Sequence, residues 1–129
     1  MRYGVIVGLV LCSMLVAACG GNEDADSKSR FDPDTPEGKG EQVFRANCAT
    51  CHAIEGDRVI VGPSLNGIAT RAGQRIEGLT AAEYIQQSIL QPGAYVVEGF
   101  PDGAMPRNFA RTLTTEQVDN LVAFLLKLE

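Results

Sequence analysis

The sequence predicts an all-α domain in which three main helices are joined by long loops. Three segments place apolar residues at helical spacing, and two of them begin with a Thr followed three positions later by Glu or Gln, the pattern of a capping box. The alternation of apolar and polar residues that is typical of β-strands is nearly absent. Two intervening segments, residues 53–79 and 92–112, are rich in glycine and proline and weakly periodic, which predicts the loops.

The first two helices are predicted on either side of the first long loop. One covers about residues 39–48 and presents an apolar side that ends at Cys48. The next begins in the stretch TAAEYIQQSIL, where Thr80 can cap the helix while the Glu83 side chain reaches back to the cap, and Pro92 ends it.

The third helix is predicted in TTEQVDNLVAFLLKLE, with Thr114 and Gln117 as its capping box. Its apolar stripe is expected in the core and consists of Val118, Leu121, Val122 and Leu125. The two long loops are unusual in a small helical domain unless something organises them. A large flat cofactor wrapped by both loops would supply the missing core.

The first 18 residues have the pattern of a bacterial secretory signal. Arg2 precedes an apolar run from Val5 to Ala18, which is too short for a membrane-spanning helix of about 20 residues. The run ends in VAAC, which resembles a lipobox, so we expect cleavage before Cys19 and lipidation of that cysteine. The alternative is ordinary cleavage after Ala18, which leaves Cys19 as a free thiol.

The rest of the chain divides into a tether and a domain. Residues 19–38 are acidic and contain glycine and proline, which predicts a flexible lipidated tether, and residues 39–129 form the domain. The formal net charge of -5 gives no support to a role in nucleic-acid binding.

The stretch NCATCHAIEG contains the chemistry-bearing residues Cys48, Cys51 and His52, and His52 is the single histidine of the sequence. A structural zinc site needs four nitrogen or sulfur ligands, and only three are present in the predicted domain. A thioredoxin-like pair needs a βαβ context, which is absent. Chance spacing is the remaining alternative. Covalent haem attachment explains all three identities, because both thiols form thioethers with the haem vinyl groups and the adjacent imidazole binds the iron.

Met105 is the predicted sixth iron ligand. It lies in FPDGAMPRNF and is the one methionine that remains after the signal is removed. Lys39 and Lys127 are the rival nitrogen ligands, and both lie in predicted helices at the ends of the domain.

With these motifs, residues 37–129 resemble a class I, single-haem cytochrome c. CATCH matches the attachment motif, GAMP matches the segment of the axial methionine, and GPSLNGI matches the loop whose proline, here Pro63, accepts a hydrogen bond from the ligand histidine. The resemblance implies the cytochrome c fold, three main helices with long loops wrapped around one covalently bound haem c. It also implies that Gly40 and Phe44 on the first helix cross Leu121 and Phe124 on the last helix.

Other residues near the haem are less specific. The tryptophan that many relatives carry is absent, and Tyr95, Phe100 or Phe109 are candidates for its role. Four arginines are candidates for neutralising haem propionates or forming a docking face, with surface solvation as the alternative: Arg71, Arg75, Arg107 and Arg111.

The resemblance implies an electron carrier and not an enzyme. We expect a lipid-anchored cytochrome on the outer face of the bacterial cytoplasmic membrane, which carries one electron at a time from a quinol-oxidising complex to a terminal oxidase or a photosynthetic reaction centre. One alternative is a fixed single-haem subunit, since SILQPGAYVVEGFPDGAMP resembles cytochrome domains of oxidase copper subunits and of alternative complex III. The other is a gas-binding haem sensor in which Met105 is labile.

Overall fold

The computed structural model of the protein describes residues 29–129, and this part of the chain forms five α-helices and no β-strand. The predicted signal sequence and Cys19 lie outside the described residues. The helices, numbered in chain order, are α1 Pro36–Asn47, α2 Ile68–Ala72, α3 Ala81–Leu90, α4 Phe109–Thr112 and α5 Thr115–Leu125. The predicted all-α class is therefore confirmed for this range.

Helices α3 and α5 begin where their predicted caps lie, whereas α1 begins at Pro36, three residues before its predicted start, with Thr35 as its N-cap. The Thr80 side chain accepts a hydrogen bond from the Glu83 backbone while the Glu83 carboxylate accepts one from the Thr80 backbone. Thr114 and Gln117 make the same reciprocal pair at α5. Each pair satisfies backbone N–H groups that otherwise have no partner within the helix.

The two short helices were not predicted, because each is shorter than the window in which helical periodicity is visible. The five residues of α2 lie within the first long loop, and the four residues of α4 lie within the second. Both loops therefore contain local structure of their own.

The core is built on the crossing of α1 and α5, as the resemblance implied. Gly40 lies so close to α5 that a Cβ atom there would be 1.9 Å from the Asn120 carbonyl oxygen and 2.8 Å from Phe124 Cβ. The rings of Phe44 and Phe124 lie 5.5 Å apart. Leu121 is 1% exposed and closes the same contact. α3 packs against both α5 and α2, so the helices surround a space that the loops complete.

The described structure includes the last ten residues of the predicted tether. Helix α1 begins at Pro36, but residues before it already contact the helix. The buried carboxylate of Glu41, on α1, accepts hydrogen bonds from Ser29 Oγ at 2.8 Å and from the Arg30 backbone at 2.7 Å. The Phe31 ring meets the Phe124 ring edge-on at 6.0 Å. The contacts of the domain thus begin ten residues before the predicted boundary, because Glu41 and Phe124 provide a binding surface that composition does not reveal.

Candidate haem site

The cysteine pair lies in a tight turn at the end of α1. Cys48 is the C-cap of the helix, and its carbonyl oxygen accepts hydrogen bonds from the backbone N–H groups of Cys51 and His52, both at 3.0 Å. The turn brings both thiols and the imidazole to the same end of α1. Both cysteines are half-buried and are not joined in a disulfide.

The Cys48 thiol lies in a desolvated environment. Burial raises the pKa of the Cys48 thiol to about 11, and the proximity of Cys51 adds to this effect. The Cys48 thiol is therefore protonated at neutral pH. A reduced pair is the state that thioether formation requires.

His52 is oriented by the loop that follows it. Its Nδ1 atom lies 2.8 Å from the carbonyl oxygen of Pro63. A carbonyl oxygen only accepts hydrogen bonds, so Nδ1 carries the proton and the lone pair of Nε2 is free to bind a metal. Gly62 allows this approach, because a Cβ atom at position 62 would lie 2.4 Å from His52 Cε1. The expected contact between Pro63 and the imidazole is thus present in the structure.

The loop between His52 and Pro63 folds back onto the cysteine turn. The Cys51 carbonyl oxygen accepts hydrogen bonds from Val61 at 3.2 Å and from Gly62 at 2.9 Å. His52 and Val59 also form an isolated antiparallel bridge. The same fold-back leaves Val59, Ile60 and Val61 on the surface, exposed by 59%, 39% and 52% respectively.

One cavity brings the predicted site residues together. Cys48, Cys51, His52, Pro63 and Met105 all line it, and its empty volume is about 1380 Å³ when the part open to solvent is included. Most of the remaining wall is apolar and comes from α1, α3, α5 and both long loops, and it includes Phe44, Ile68, Ile85, Ile89, Leu121 and Leu125.

The lysine rivals of Met105 lie elsewhere. Neither Lys39 nor Lys127 lines the cavity, and Lys127 instead forms an ion pair with Glu37 at 3.6 Å. Met105 is half-buried at the cavity wall. Of the candidate ligands, the structure therefore places Met105, and not either lysine, at the cavity.

Three of the four candidate arginines line the cavity, and they differ in their partners. Arg71 donates hydrogen bonds to the carbonyl oxygens of Ser64, at 3.0 Å, and of Asn66. Arg107 forms an ion pair with Asp102. Arg75 makes no ion pair or side-chain hydrogen bond with the described part of the chain. Arg111 is exposed on α4 and does not line the cavity.

The three aromatic candidates all line the cavity. Tyr95, Phe100 and Phe109 contribute to its wall, and the Tyr95 ring also contacts Tyr84 edge-on at 5.7 Å between ring centroids.

The contacts of Arg71 and the pair of Asp102 with Arg107 were not predicted. The chain positions of these residues give no signal of them, because they depend on how irregular loops turn.

The donor set fits covalently attached haem. Two cysteine thiols, an imidazole with a free Nε2 and a thioether sulfur all line one mainly apolar cavity. A zinc site is not supported, since among residues 29–129 no three His, Cys, Asp or Glu side chains are arranged to hold a metal ion. The fold and the cavity together define a haem-binding domain of the c type.

Comparison with known proteins places the domain in a family. The model of the family described as Cytochrome c matches residues 38–129, so the chain belongs to the cytochrome c family. Its members bind haem c covalently, and Cys48, Cys51 and His52 supply the attachment motif, so haem c is the cofactor. The family and the relative described next indicate an electron carrier rather than an enzyme, and bacterial members are typically extracytoplasmic.

A similar curated protein is named "Cytochrome c-553-like" and comes from Synechocystis sp. (strain ATCC 27184 / PCC 6803 / Kazusa). It is 50% identical over 36 residues, which are 28% of this chain and 33% of the relative. The match thus spans about one third of that protein's length.

None of the helices in residues 29–129 has the length and apolar character needed to cross a membrane.

Proposed function

We propose that the protein is a class I, single-haem cytochrome c that carries one electron at a time, with His52 and Met105 as its axial ligands. The observation that carries the proposal is the 2.8 Å contact between His52 Nδ1 and the Pro63 oxygen. It frees Nε2 for iron in a cavity that Met105 also lines.

The residues of the chain explain why the site transfers electrons and does not bind substrate. Haem supplies a one-electron iron couple. His52 and Met105 would hold the iron from the chain, and ligation by both would leave no coordination position open for a substrate. The Pro63 carbonyl fixes the imidazole plane and raises the basicity of the ligand nitrogen. The thioether of Met105 and the apolar walls favour the reduced state, which raises the reduction potential.

The protein is further proposed to be anchored by lipid at Cys19 on the outer face of the cytoplasmic membrane. Residues 19–28 are then the part of the predicted tether that joins the lipid to the described residues. A tether of this kind raises the effective concentration of the domain at membrane-bound partners. Those partners are a quinol-oxidising complex and a terminal oxidase or reaction centre.

The exposed loop Val59–Val61 supports contact with such a partner. Its apolar side chains are open to solvent, while its backbone is bonded to Cys51, a predicted haem-attachment residue. A partner that covers this loop is therefore close to the cofactor.

A fixed subunit is the second candidate, and the resemblance of residues 88–106 to domains of respiratory complexes favours it. Detergent extraction separates the two. A shuttle elutes alone from a sizing column after mild solubilisation of membranes, whereas a fixed subunit elutes with its complex.

Replacement of Met105 tests the ligand assignment. Met105→Ala, and Met105→Leu as a variant of similar side-chain volume, should keep the haem attached but lower the reduction potential and let the reduced protein bind carbon monoxide. Lys127→Ala is the matched control and should change neither property. If both Met105 variants keep the parent's potential and still reject carbon monoxide, the assignment is wrong.

A further inference from the structure

The segment that carries Met105 is closed by an ion pair between its two ends. Asp102 lies three positions before Met105 and Arg107 two positions after it, and Arg107 Nη2 is 2.6 Å from Asp102 Oδ1. The chain turns sharply between them, since Gly103 has a φ of 83°, in the left-handed region. The pair therefore spans the base of the loop whose tip bears the methionine.

Little else holds this loop in one shape. Pro101 and Pro106 have no backbone N–H, and one backbone hydrogen bond, from Ala104 to Pro101 at 3.3 Å, is found within residues 101–107. The loop is also largely exposed, with only Met105 half-buried among residues 101–107. The side-chain pair is thus the main connection between the two arms of the loop.

The pair also contacts the turn that follows α3. A Cβ atom at Gly93 would lie 2.9 Å from Arg107 Nη2 and 3.5 Å from Asp102 Oδ1. Both charged groups therefore rest against the backbone at Gly93, where a side chain would displace them. Pro92, beside it, lines the haem cavity. The pair consequently connects the Met105 loop to the end of α3 as well as closing the loop itself.

We propose that Asp102 and Arg107 are a positioning pair that holds the Met105 thioether at the sixth iron position. This inference rests on the proposed function, in which Met105 is the ligand. Neither residue touches the iron, and both act by restricting the conformations of the loop. Loss of the pair lets the loop open more often, so that an external ligand competes more successfully for the iron.

The expected effect is modest because the pair is exposed. The side chains of Arg107 and Asp102 are 59% and 61% exposed. Exposed ion pairs change an equilibrium by up to about fivefold. Salt screens such pairs, with a Debye length that falls to about 3 Å at 1 M ionic strength. The effect should therefore be visible at low salt and small at high salt.

Imidazole titration of the oxidised, haem-loaded protein tests the inference. The readout is the weak red charge-transfer band of methionine bound to ferric iron, followed at a pH where imidazole is neutral. Arg107→Gln and Asp102→Asn should each lower the imidazole concentration at half-loss of the band by about twofold to fivefold at low salt. The difference from the parent should shrink in 1 M sodium chloride.

Two further variants separate the ion pair from general packing. The double variant Asp102→Arg with Arg107→Asp reverses both charges and should restore the parent's resistance to imidazole. Arg111→Gln removes an exposed arginine that does not line the cavity and should change nothing.

Three results overturn the inference. The first is that both single variants match the parent at low salt. The second is that their effect is equally large in 1 M salt, and the third is that charge reversal gives no recovery. Absence of the methionine band from the parent protein would overturn the proposed ligation by Met105 as well. If the band is present and the substitutions do not change the imidazole concentration at its half-loss, only the positioning pair is overturned.

Discussion

His52 shows how a single side chain depends on residues about ten positions away. Its imidazole is fixed on one side by the Pro63 carbonyl and is approached by the Gly62 backbone, which leaves no space for a side chain. Both residues are part of the motif GPSLNGI, whose conformation Arg71 maintains by bonding the carbonyl oxygens of Ser64 and Asn66. The imidazole is thus oriented by a loop, and the loop by an arginine.

Gly62→Ala should destabilise the haem-loaded protein by about 1–3 kcal/mol, the usual cost of overpacking. The added Cβ atom would lie 2.4 Å from His52 Cε1, so either the ring or the loop must move. Chemical denaturation measures the free energy of unfolding. Gly73→Ala is the control, because its Cβ atom would make only ordinary contacts of 3.7 and 3.8 Å to Ala81. Equal stability of the Gly62 and Gly73 variants would contradict the account of the loop.

At this scale the sequence predicts residue types better than contacts. Cys48, Cys51, His52 and Met105 are identifiable because their chemistry is rare in the chain, and all four line the cavity. The bonds of Arg71 are not predictable from the sequence. Arginine is common on surfaces, and nothing in the spacing of an irregular loop shows which carbonyl groups it will meet.

At the scale of whole elements, the crossing of α1 and α5 determines where the cysteine turn is placed. Gly40 allows the two helix backbones to approach, and Phe44 packs against Phe124 one turn further along α1. Cys48 follows one more turn along, at the end of the helix. The separation of α1 from α5 therefore sets the position of the haem-attachment residues relative to the apolar stripe of α5.

Gly40→Ala should lower the free energy of unfolding by about 3 kcal/mol, near the upper end of the usual range for overpacking. The new methyl group meets the Asn120 carbonyl oxygen and Phe124 Cβ, and neither can move without shifting α5. Thermal or chemical unfolding measures the change. Gln42→Ala, on the exposed side of the same helix, should change stability by less than about 0.5 kcal/mol. A Gly40 variant as stable as the parent would show that the helices do not cross at this point.

The sequence predicts the main helices well because their signals are local. Capping boxes at Thr80 and Thr114 determine where α3 and α5 begin, and the structure has both. α2 and α4 have four or five residues each and no side-chain cap, so no local pattern reveals them. Their existence depends on packing with the rest of the domain.

At the scale of the whole molecule, the segment before α1 is attached to the domain through Glu41. This carboxylate is 1% exposed and accepts hydrogen bonds from Ser29, the Arg30 backbone and Arg45. Burial acts to raise the pKa of Glu41, but these hydrogen bonds and the charge of Arg45 together lower it below the ordinary value. The ionised form is therefore the one that the folded state favours.

Glu41→Gln should reduce the free energy of unfolding by about 1.5–3 kcal/mol at pH 7, the contribution of hydrogen bonds to a charged group. Because the folded-state pKa of Glu41 is lowered, this contribution is fully present above the ordinary pKa of 4.5 and is lost as the pH falls through the folded-state value. The difference between parent and variant should therefore narrow in acid.

Urea unfolding at several pH values between 7 and 3 measures this difference. Gln86→Ala, an exposed change on α3, serves as a control whose small effect should not depend on pH. A gap between parent and Glu41→Gln that stays constant over the whole range would contradict an ionised Glu41 as the attachment point.

We propose that the chain itself, through His52 and Met105, supplies both axial ligands of one covalently bound haem. The most direct test is an absorption spectrum of the haem-loaded protein, oxidised and reduced, with and without carbon monoxide. We expect a low-spin reduced spectrum that carbon monoxide leaves unchanged and a red charge-transfer band in the oxidised protein. A reduced spectrum that shifts readily with carbon monoxide would contradict it and would favour a gas-binding haem protein with a labile Met105.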